Sequence, residues 1–364
     1  MRVAILGVGL IGGSVGLAAR QRLDAVVVGF DPDPGRLARA RELGAVDREA
    51  TRVAEAVDGA EVVFCAAPVG ALPRLVAEAL EASDDEAVVT DVGSTKRGLL
   101  QALRDGERAE RFIGGHPLAG AETAGVENAR ADLFVGARWY LVPTERSSGL
   151  LYDRLQRTIS DLGARPQAID ADLHDRLMAT VSHVPHVLAN ALVQQAATAR
   201  AKDAEHLPEM GPSFRDATRV AGANPPLWGE ILASNGEAVA AAIDSVGERL
   251  AVAAELIRTG DPAAVADWQR AAREDRRRLL EFELAGGELR ELRLAVPNRP
   301  GTVAEIALAL GRAGVNIEDM ALYPAADMRT GAVSLWVAGE KQTARAAEVV
   351  RTLGHAVAVA GDED

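Results

Sequence analysis

Three histidines stand in short motifs whose residue types suit acid–base chemistry. The first, His116, follows a Gly-Gly pair and precedes Pro117, so we expect a loop to hold its ring. An imidazole has an ordinary pKa near about 6.5 and can take a proton from a substrate hydroxyl at neutral pH. The alternative interpretation is a histidine that only packs this loop.

The other two, His183 and His186, lie three residues apart in the motif S-H-V-P-H, so they share one face of a helix. Pro185 between them cannot donate a helical N–H, which predicts a local kink. Such a pair serves as a substrate anchor, as a metal half-site or in helix packing. Because no acidic or cysteine partner stands at the usual zinc spacing, we predict no metal.

Two arginines and a serine complete the set of residues with chemical potential. Arg215 and Arg219 are four residues apart, so a helix would present two guanidinium forks on one face, which suits carboxylates. Their alternative role is to keep the surface soluble. Ser94 lies in the segment D-V-G-S-T-K at a predicted helix N-cap, and capping alone would explain a serine there.

The element that positions a ligand near these residues begins at the N-terminus. An apolar run, Arg2–Leu6, predicts a strand that leads directly into Gly7, Gly9 and Gly12, a G-x-G-x-x-G fingerprint. In this context the glycines permit a tight turn, close approach to a pyrophosphate and close helix–strand packing. The free N–H groups of the following helix would hold the anion.

A carboxylate after the second predicted strand favours NAD as the dinucleotide. Asp31 follows Ala25–Phe30 and stands nineteen residues after Gly12. At this place a carboxylate accepts a hydrogen bond from a ribose 2′-hydroxyl and would repel a 2′-phosphate. The alternative is a tight turn without a nucleotide.

Short strands and helices alternate over residues 1–169, which predicts an α/β, Rossmann-type, doubly wound parallel sheet. Ligands bind outside the carboxyl ends of the strands in such sheets. The predicted strands are Val3–Leu6, Ala25–Phe30, Glu61–Ala66, Ala87–Thr90, Phe112–Gly114, Ala137–Val142 and Ala164–Ile169.

Two further domains are predicted. Residues 170–285 carry the long helical patterns Asp172–Arg200, Glu237–Arg258 and Pro262–Glu283, and helices of this kind build dimer cores, so we expect an all-α dimerisation domain. Residues 286–364, after the linker 285–287, have a βαββαβ pattern of the ferredoxin-like type. Its predicted elements are Leu289–Val296, Thr302–Ala313, Val315–Leu322, Ala332–Val337, Lys341–Leu353 and His355–Val359.

The composition limits the environment and the partners. The chain has 364 residues and a net charge of −13, which argues against nucleic acid as a partner. No run of 18 apolar residues and no signal peptide is present, so we expect a cytoplasmic protein without a membrane segment. The one cysteine, Cys65, lies in an apolar run and is interpreted as a buried thiol.

Together these motifs resemble the prephenate (or arogenate) dehydrogenase family of tyrosine biosynthesis, over nearly the whole chain. The histidine motifs, in this order after a Rossmann start, are more specific than any one alone. The motifs that carry the resemblance are G-x-G-x-x-G at 7–12, D-x-G-S-x-K at 91–96, G-G-H-P-x-A-G-x-E at 114–122, S-H-x-P-H at 182–186, and Thr218-Arg219 followed by Trp228.

The resemblance implies NAD-dependent oxidative decarboxylation of prephenate to 4-hydroxyphenylpyruvate, with His116 as the proton acceptor and Ser94 orienting its ring. It places Arg219 on the ring carboxylate and His186, supported by His183, on the pyruvyl side chain. Two further roles are implied, a gate or water-ordering group and a second cation, for Glu122 and Arg215. The implied cofactor-binding set is Gly7, Gly9, Leu10, Ile11, Gly12, Asp31 and Pro68.

The C-terminal module resembles an ACT domain, a module that binds amino acids in metabolic regulators. The resemblance implies an effector pocket bordered by Asn298, Gly301 and Asn316, with tyrosine as the inhibitor, and a homodimer through the helical domain.

Three other interpretations compete. The same chemistry on arogenate, or mixed cyclohexadienyl specificity, differs only in the group that faces the side chain. A β-hydroxyacid dehydrogenase would use a lysine in the helical domain, where only Lys202 stands, outside any such motif. A non-catalytic sensor of NAD and amino acids would not need His116, Ser94 and Arg219.

Overall fold

A computed structural model describes residues 1–120, 123–202, 210–283, 289–297, 302–315, 317, 319–324 and 330–359. The chain divides into two compact units, residues 1–249 and 250–364. The predicted helical domain, 170–285, therefore contributes to both units.

The first unit is built on a sheet whose order, in the described part of the chain, is β3-β2-β1-β4-β5-β6-β7-β8. Every strand predicted for this unit is present, and the short β3 was not predicted. The strands are β1 (Arg2–Leu6), β2 (Val26–Phe30), β3 (Arg48–Glu49), β4 (Val62–Cys65), β5 (Val88–Asp91), β6 (Phe112–Pro117), β7 (Arg138–Val142) and β8 (Arg165–Ala168).

The sheet departs from the predicted all-parallel pattern at one edge. Strands β1 to β6 are parallel, whereas β7 pairs antiparallel with β6, and β8 is parallel to β7. A parallel return needs a crossover, which is usually an α-helix. The described residues between β6 and β7 contain only a 3-10 turn, Val126–Asn128, so β7 runs back in the opposite direction.

Helices cover both faces of this sheet because its strands are apolar on both sides. In β1, Val3 and Ile5 point into one core while Ala4 and Leu6 point into the other. The helices of the nucleotide-binding region are α1 (Leu10–Leu23), α2 (Pro34–Glu42), α3 (Val53–Val57), α4 (Leu72–Ala82), α5 (Arg97–Leu103) and α6 (Gly149–Asp161).

The predicted helix Asp172–Arg200 is an α-helix with a π-helical interruption. Helix α7 (Ala171–Met178) passes through a π-turn, Ala179–His183, into α8 (Val184–Lys202). A π-turn is a common cause of a kink and is frequent at functional sites. The irregularity that we predicted at Pro185 thus lies in the turn immediately before this proline.

Two short helices of the first unit were not predicted, because Gly and Pro interrupt their helical pattern. They are α9 (Pro212–Thr218) and α10 (Pro225–Ser234), and each begins with proline in its first turn, where the missing N–H costs nothing. Helix α11 (Gly236–Arg258) follows and has the predicted bounds to within one residue.

The second unit contains α12 (Pro262–Glu283) and a βαββαβ module. In its described residues the sheet is antiparallel with the order β10-β11-β9-β12, and Leu292, Leu310 and Leu335 lie in its core. The elements are β9 (Leu289–Pro297), α13 (Thr302–Arg312), β10 (Asp319–Pro324), β11 (Thr330–Ala338), α14 (Glu340–Thr352) and β12 (Ala356–Val359). None of the helices described is long and apolar enough to cross a membrane.

Candidate active site

The glycine turn between β1 and α1 has the geometry of a dinucleotide cradle. Gly7 has a φ of 103°, and a Cβ there would lie 2.3 Å from the carbonyl oxygen of Ala66. A Cβ on Gly12 would lie 1.9 Å from the carbonyl oxygen of Gly7. Only glycine fits at these two positions, which explains how the turn packs so closely.

The middle glycine leaves room for a ligand. A Cβ on Gly9 would meet no atom within 4 Å. The first helical hydrogen bond of the turn runs from the Gly13 N–H to the Gly9 carbonyl, so the N–H groups of Leu10, Ile11 and Gly12 have no acceptor within the helix. An open space in front of free N–H groups suits a pyrophosphate. The residues therefore fit the dinucleotide that the fingerprint predicts.

Asp31 lies at the end of β2 and ties the glycine turn to that strand. Its carboxylate accepts hydrogen bonds from the N–H groups of Val8 and Asp33, both at 3.0 Å. Arg36 was not predicted as part of the site, and its guanidinium lies 3.2 Å from the same carboxylate. Arg36 contacts both oxygens, so Asp31 already accepts about the four hydrogen bonds that a carboxylate can take, and its contact with a ribose hydroxyl stays a prediction.

Pro68 begins the loop after β4, at the same edge of the sheet. The Gly70 N–H in this loop donates to the Glu230 carboxylate of α10 at 3.0 Å. The loop after β4 is thereby linked to a helix that follows it by 160 positions in the sequence. Sequence analysis did not identify Glu230, because its role depends on this distant contact.

His116 lies near the carboxyl end of β6, opposite Tyr140 of β7. The His116 Nδ1 lies 2.9 Å from Nε2 of His174, and the His174 Nδ1 lies 2.8 Å from the Asp175 carboxylate. His174 is completely buried and Asp175 is nearly so, whereas His116 keeps a partly exposed surface. The three side chains form a continuous hydrogen-bonded line that ends at the partly exposed imidazole.

The environment keeps His116 neutral at neutral pH. Its pKa lies well below the ordinary value because the ring is desolvated and because His174 and Lys96 disfavour a further positive charge. A neutral imidazole has a free lone pair and can act as a proton acceptor.

A buried ion pair supports the chain next to His116. Lys96 and Asp91 are both fully buried, and the ammonium contacts the carboxylate. The other carboxylate oxygen of Asp91 accepts from the N–H of Gly115, the residue before His116, at 3.0 Å. Desolvation lowers the pKa of Lys96 against the effect of Asp91. The D-x-G-S-x-K motif thus holds the position of the His116 backbone.

Ser94 lies between Asp91 and Lys96 in the sequence and is partly exposed. Among the described residues no hydrogen bond joins Ser94 to His116, whose Nδ1 faces His174 instead. The neighbouring Thr95 hydroxyl lies 2.7 Å from the Ser234 hydroxyl of α10. The orienting role that the resemblance gives to Ser94 stays a prediction.

His183 and His186 both contact Trp228 of α10. The His186 ring stacks on the indole with 3.4 Å between centroids, and the His183 ring meets it edge-on at 6.0 Å. His183 is buried, and the Nδ2 of Asn235 lies 3.2 Å from its Nδ1. Desolvation lowers the pKa of His183 to about 4, so this ring is neutral. The two rings therefore pack partly against the Trp228 indole. The described residues contain no cluster of three or more metal-ligating side chains.

The two arginines lie on and next to α9. Arg215 is in the helix, Arg219 follows its last residue, and both are exposed. Val220, next to Arg219, forms a backbone hydrogen bond with His186, so α9 adjoins the histidine pair. Glu122, Asn298, Gly301 and Asn316 lie outside the described residues.

The main residues that sequence analysis missed are His174 and Asp175. They form a His-Asp pair in the first helix after β8, which places them near the carboxyl ends of neighbouring strands. This position is the signal that could have identified them. The helical periodicity of this segment did not single them out, because both residues also fit an ordinary helix.

The fold and this cluster define a dinucleotide-binding α/β protein with a neutral histidine at the ligand edge of its sheet. The family model "Prephenate dehydrogenase, nucleotide-binding domain" matches residues 15–167, and "Prephenate dehydrogenase, dimerization domain" matches residues 170–271. The chain belongs to the prephenate dehydrogenase family.

Similarity to individual proteins supports this family assignment. A prephenate dehydrogenase of Lactococcus lactis is 30% identical, with 85% of this chain and 86% of that protein covered. A cyclohexadienyl dehydrogenase of Zymomonas mobilis is 30% identical over 66% of this chain and 83% of that protein. The crystal structure of an Aquifex aeolicus prephenate dehydrogenase in complex with hydroxyphenyl propionate and NAD+ superimposes with a TM-score of 0.70 at 28% identity, covering 77% of this chain and 98% of that one.

Proposed function

We propose that this protein is an NAD-dependent oxidoreductase that converts prephenate to 4-hydroxyphenylpyruvate and CO2. The observation that carries the proposal is the neutral His116 at the carboxyl edge of a sheet whose glycine turn fits a dinucleotide. The similarity to prephenate dehydrogenases over most of the chain supports the choice of substrate.

The reaction needs one proton acceptor and precise orientation. NAD, held by the glycine turn of Gly7, Gly9 and Gly12, would supply the acceptor for the hydride that leaves C4 of the substrate ring. His116 removes the proton of the C4 hydroxyl through its free lone pair, and the C4 oxygen becomes a carbonyl in the transition state. The C1–carboxylate bond breaks, CO2 leaves, and its electron pair makes the ring aromatic, so that the C4 oxygen becomes a phenolate and takes the proton back from His116. Aromatisation supplies driving force, so the protein chiefly positions the reactants.

The remaining predicted residues take the roles that hold the dianionic substrate. Arg219 binds the ring carboxylate with its guanidinium fork, and Arg215, one turn earlier, is a second cation at the entrance. His186 binds the pyruvyl side chain, with His183 behind it, and Ser94 orients the His116 ring. Glu122 is assigned to gate entry or to order water.

Arogenate is the alternative substrate. It carries an ammonium in place of the ketone of prephenate, so the two differ at the group that we assign to His186. The similarity to a cyclohexadienyl dehydrogenase keeps this alternative open. We assign prephenate first because the matching family models describe prephenate dehydrogenases, as does the name of the Lactococcus lactis relative.

The test is NADH formation by the purified protein with each substrate and each cofactor. We expect fast reduction of NAD with prephenate and a much lower rate with arogenate or NADP. Comparable rates with both substrates would establish mixed specificity. No NADH with either substrate would refute the proposal.

The remaining proposals concern the helical part, the C-terminal part and the location of the protein. We assign homodimerisation to the helices of the segment matched by the dimerization-domain model, and the βαββαβ module to an ACT-type regulator that takes tyrosine, with the cytoplasm as the location. Tyrosine is expected to inhibit even at saturating prephenate, because it binds away from the substrate. Inhibition that prephenate fully relieves would place tyrosine in the active site, and light scattering at the monomer mass would refute the dimer.

A further inference from the structure

We infer that His174 and Asp175 are positioning residues that fix the tautomer of His116, leaving its Nε2 free to accept the substrate proton. The inference rests on the proposed function for its consequence in catalysis. Its structural content, the location of one proton on His116, is independent of which substrate the protein takes.

The line of hydrogen bonds begins at a carboxylate that stays ionised. The Asp175 oxygens accept from the N–H groups of Lys96 and Arg97, at 2.8 and 2.9 Å, where α5 begins. These N–H groups lack acceptors within the helix and carry the positive end of its dipole. Burial opposes ionisation of Asp175, but the bonds from His174 and from these backbone groups lower its pKa overall.

An ionised carboxylate can only accept hydrogen bonds, so it decides the tautomer of His174. The His174 Nδ1 lies 2.8 Å from Asp175 and must carry the proton of that bond. The His174 Nε2 in the neutral ring is then an acceptor. The ring is completely buried, and Tyr140 meets it edge-on with 5.6 Å between centroids.

The same logic fixes His116. Its Nδ1 lies 2.9 Å from the His174 Nε2, which is an acceptor, so Nδ1 of His116 must be the donor. The opposite tautomer would place two lone pairs against each other in a buried site, at a cost of a lost hydrogen bond and more. The His116 Nε2 therefore carries no proton. It is the nitrogen that receives the hydroxyl proton of the substrate.

A further contact holds the carboxylate end in place. The Asn235 Nδ2, just before α11, donates to the backbone carbonyl of Asp175 at 2.8 Å. The line thus has backbone anchors from both α5 and the segment before α11. Such an arrangement resembles the way an aspartate orients a histidine base in hydrolases.

Asp175→Asn is the sharpest variant. One Asp175 oxygen accepts from both the Lys96 N–H and the His174 Nδ1, and the other accepts from the Arg97 N–H, so the NH2 of asparagine would face an α5 N–H in either orientation. The variant therefore lacks the anion that obliges the His174 Nδ1 to carry a proton, and the tautomer of His116 is no longer fixed. We expect kcat to fall by roughly 10²–10⁴-fold with little change in KM for prephenate.

Matched variants separate positioning from folding. Asp170→Asn changes the same residue type at the N-cap of the same helix, where Asp170 accepts from the Leu173 N–H, and should leave kcat unchanged. His174→Gln keeps an acceptor near the Nε2 position and should lose no more than about tenfold in kcat, whereas His174→Leu removes it and should lose roughly 10²-fold.

Nitrogen-15 NMR of the imidazole rings measures the tautomer directly, without substrate. We expect a protonated Nδ1 on His116 in the unmodified protein and a mixture of the two tautomers in Asp175→Asn. An unchanged His116 tautomer in a folded Asp175→Asn variant would overturn the inference. If that variant does not fold, equal kcat values for His174→Gln and His174→Leu would overturn it. An inactive unmodified protein with the expected tautomer would instead refute only the proposed substrate.

The pH profile gives a second measurement that a merely structural role would not move. His116 is faced by Lys96 after β5, by His174 in α7, by His183 in the π-turn and by Tyr140 of β7. Asp175 lies at the far end of the hydrogen-bonded line, and its replacement by asparagine removes a negative charge from the neighbourhood of His116. The acid limb of kcat should therefore shift to lower pH in Asp175→Asn, and an unshifted limb would contradict the inference.

Discussion

The Gly70 N–H donates a hydrogen bond to the carboxylate of Glu230 at 3.0 Å. Gly70 lies in the loop that follows β4, and Glu230 lies in α10, the helix that also carries Trp228. The contact therefore links the cofactor side of the site to the helix that packs against His183 and His186.

Glu230→Ala should weaken NAD binding, because the loop after β4 loses the acceptor that fixes Gly70. A net hydrogen bond contributes about 0.5–1.5 kcal/mol, so the Kd for NAD should rise by roughly 2- to 12-fold. Calorimetric titration with NAD measures it. Glu230→Gln keeps a carbonyl acceptor and serves as the control, with a Kd close to that of the unmodified protein. Equal effects of the two variants would show that the charge matters and not the hydrogen bond.

Arg219→Gln should mainly raise KM for prephenate. A hydrogen bond to a charged group contributes about 1.5–3 kcal/mol, which corresponds to a rise of roughly 12- to 160-fold. Arg219→Lys keeps the positive charge but loses the guanidinium fork, so its KM should lie between those of the unmodified protein and Arg219→Gln. Initial rates over a range of prephenate concentrations measure both. An unchanged KM in Arg219→Gln would mean that Arg219 does not bind the carboxylate.

Lys96→Met should destabilise the fold strongly, because Asp91 would remain as an unpaired charge with no exposure. Breaking a buried ion pair on one side costs about 3–5 kcal/mol, whereas replacing both partners costs far less. Urea unfolding should therefore show that the double variant Asp91→Asn, Lys96→Met is more stable than Lys96→Met alone. A double variant that is less stable than the single one would contradict the pairing.

The buried His183 makes stability depend on pH. Its pKa in the folded protein is about 4, below the ordinary 6.5, so the unfolded chain binds the proton more tightly. The contribution of His183 to the free energy of unfolding is fully present above pH 6.5. This free energy falls by about 3 kcal/mol in total as the pH decreases from 6.5 to 4. The free energy of unfolding of His183→Asn should decrease less than that of the unmodified protein between pH 6.5 and 4. The two proteins share the contributions of His116 and His186, so equal falls would show that His183 is not buried neutral.

The sequence predicts the framework well because period and turn chemistry are local properties. The strands β1 and β2, the glycine turn and the long helices could all be located from apolar spacing and from the residues that end each element. The reversal of β7 could not be predicted, since it depends on what connects it to β6. Helices α9 and α10 were missed because their glycines and prolines obscure the helical period.

The site was predictable only where a motif is local. His116 and Gly9 stand in short motifs and could be identified from the sequence, whereas the His174–Asp175 line and the Glu230 contact join residues far apart in the chain. Nothing in the spacing of His174 distinguishes it from an ordinary helical residue. Its partner becomes visible only when β6 and α7 meet in three dimensions.

The most direct test compares His116→Asn with the unmodified protein under saturating NAD and prephenate, with NADH and 4-hydroxyphenylpyruvate both measured. We predict equal amounts of the two products from the unmodified protein. In His116→Asn we expect kcat to fall by roughly 10²–10⁴-fold while KM for prephenate changes little. A His116→Asn variant that keeps nearly full turnover would contradict the account, because no other described residue is assigned to accept the hydroxyl proton.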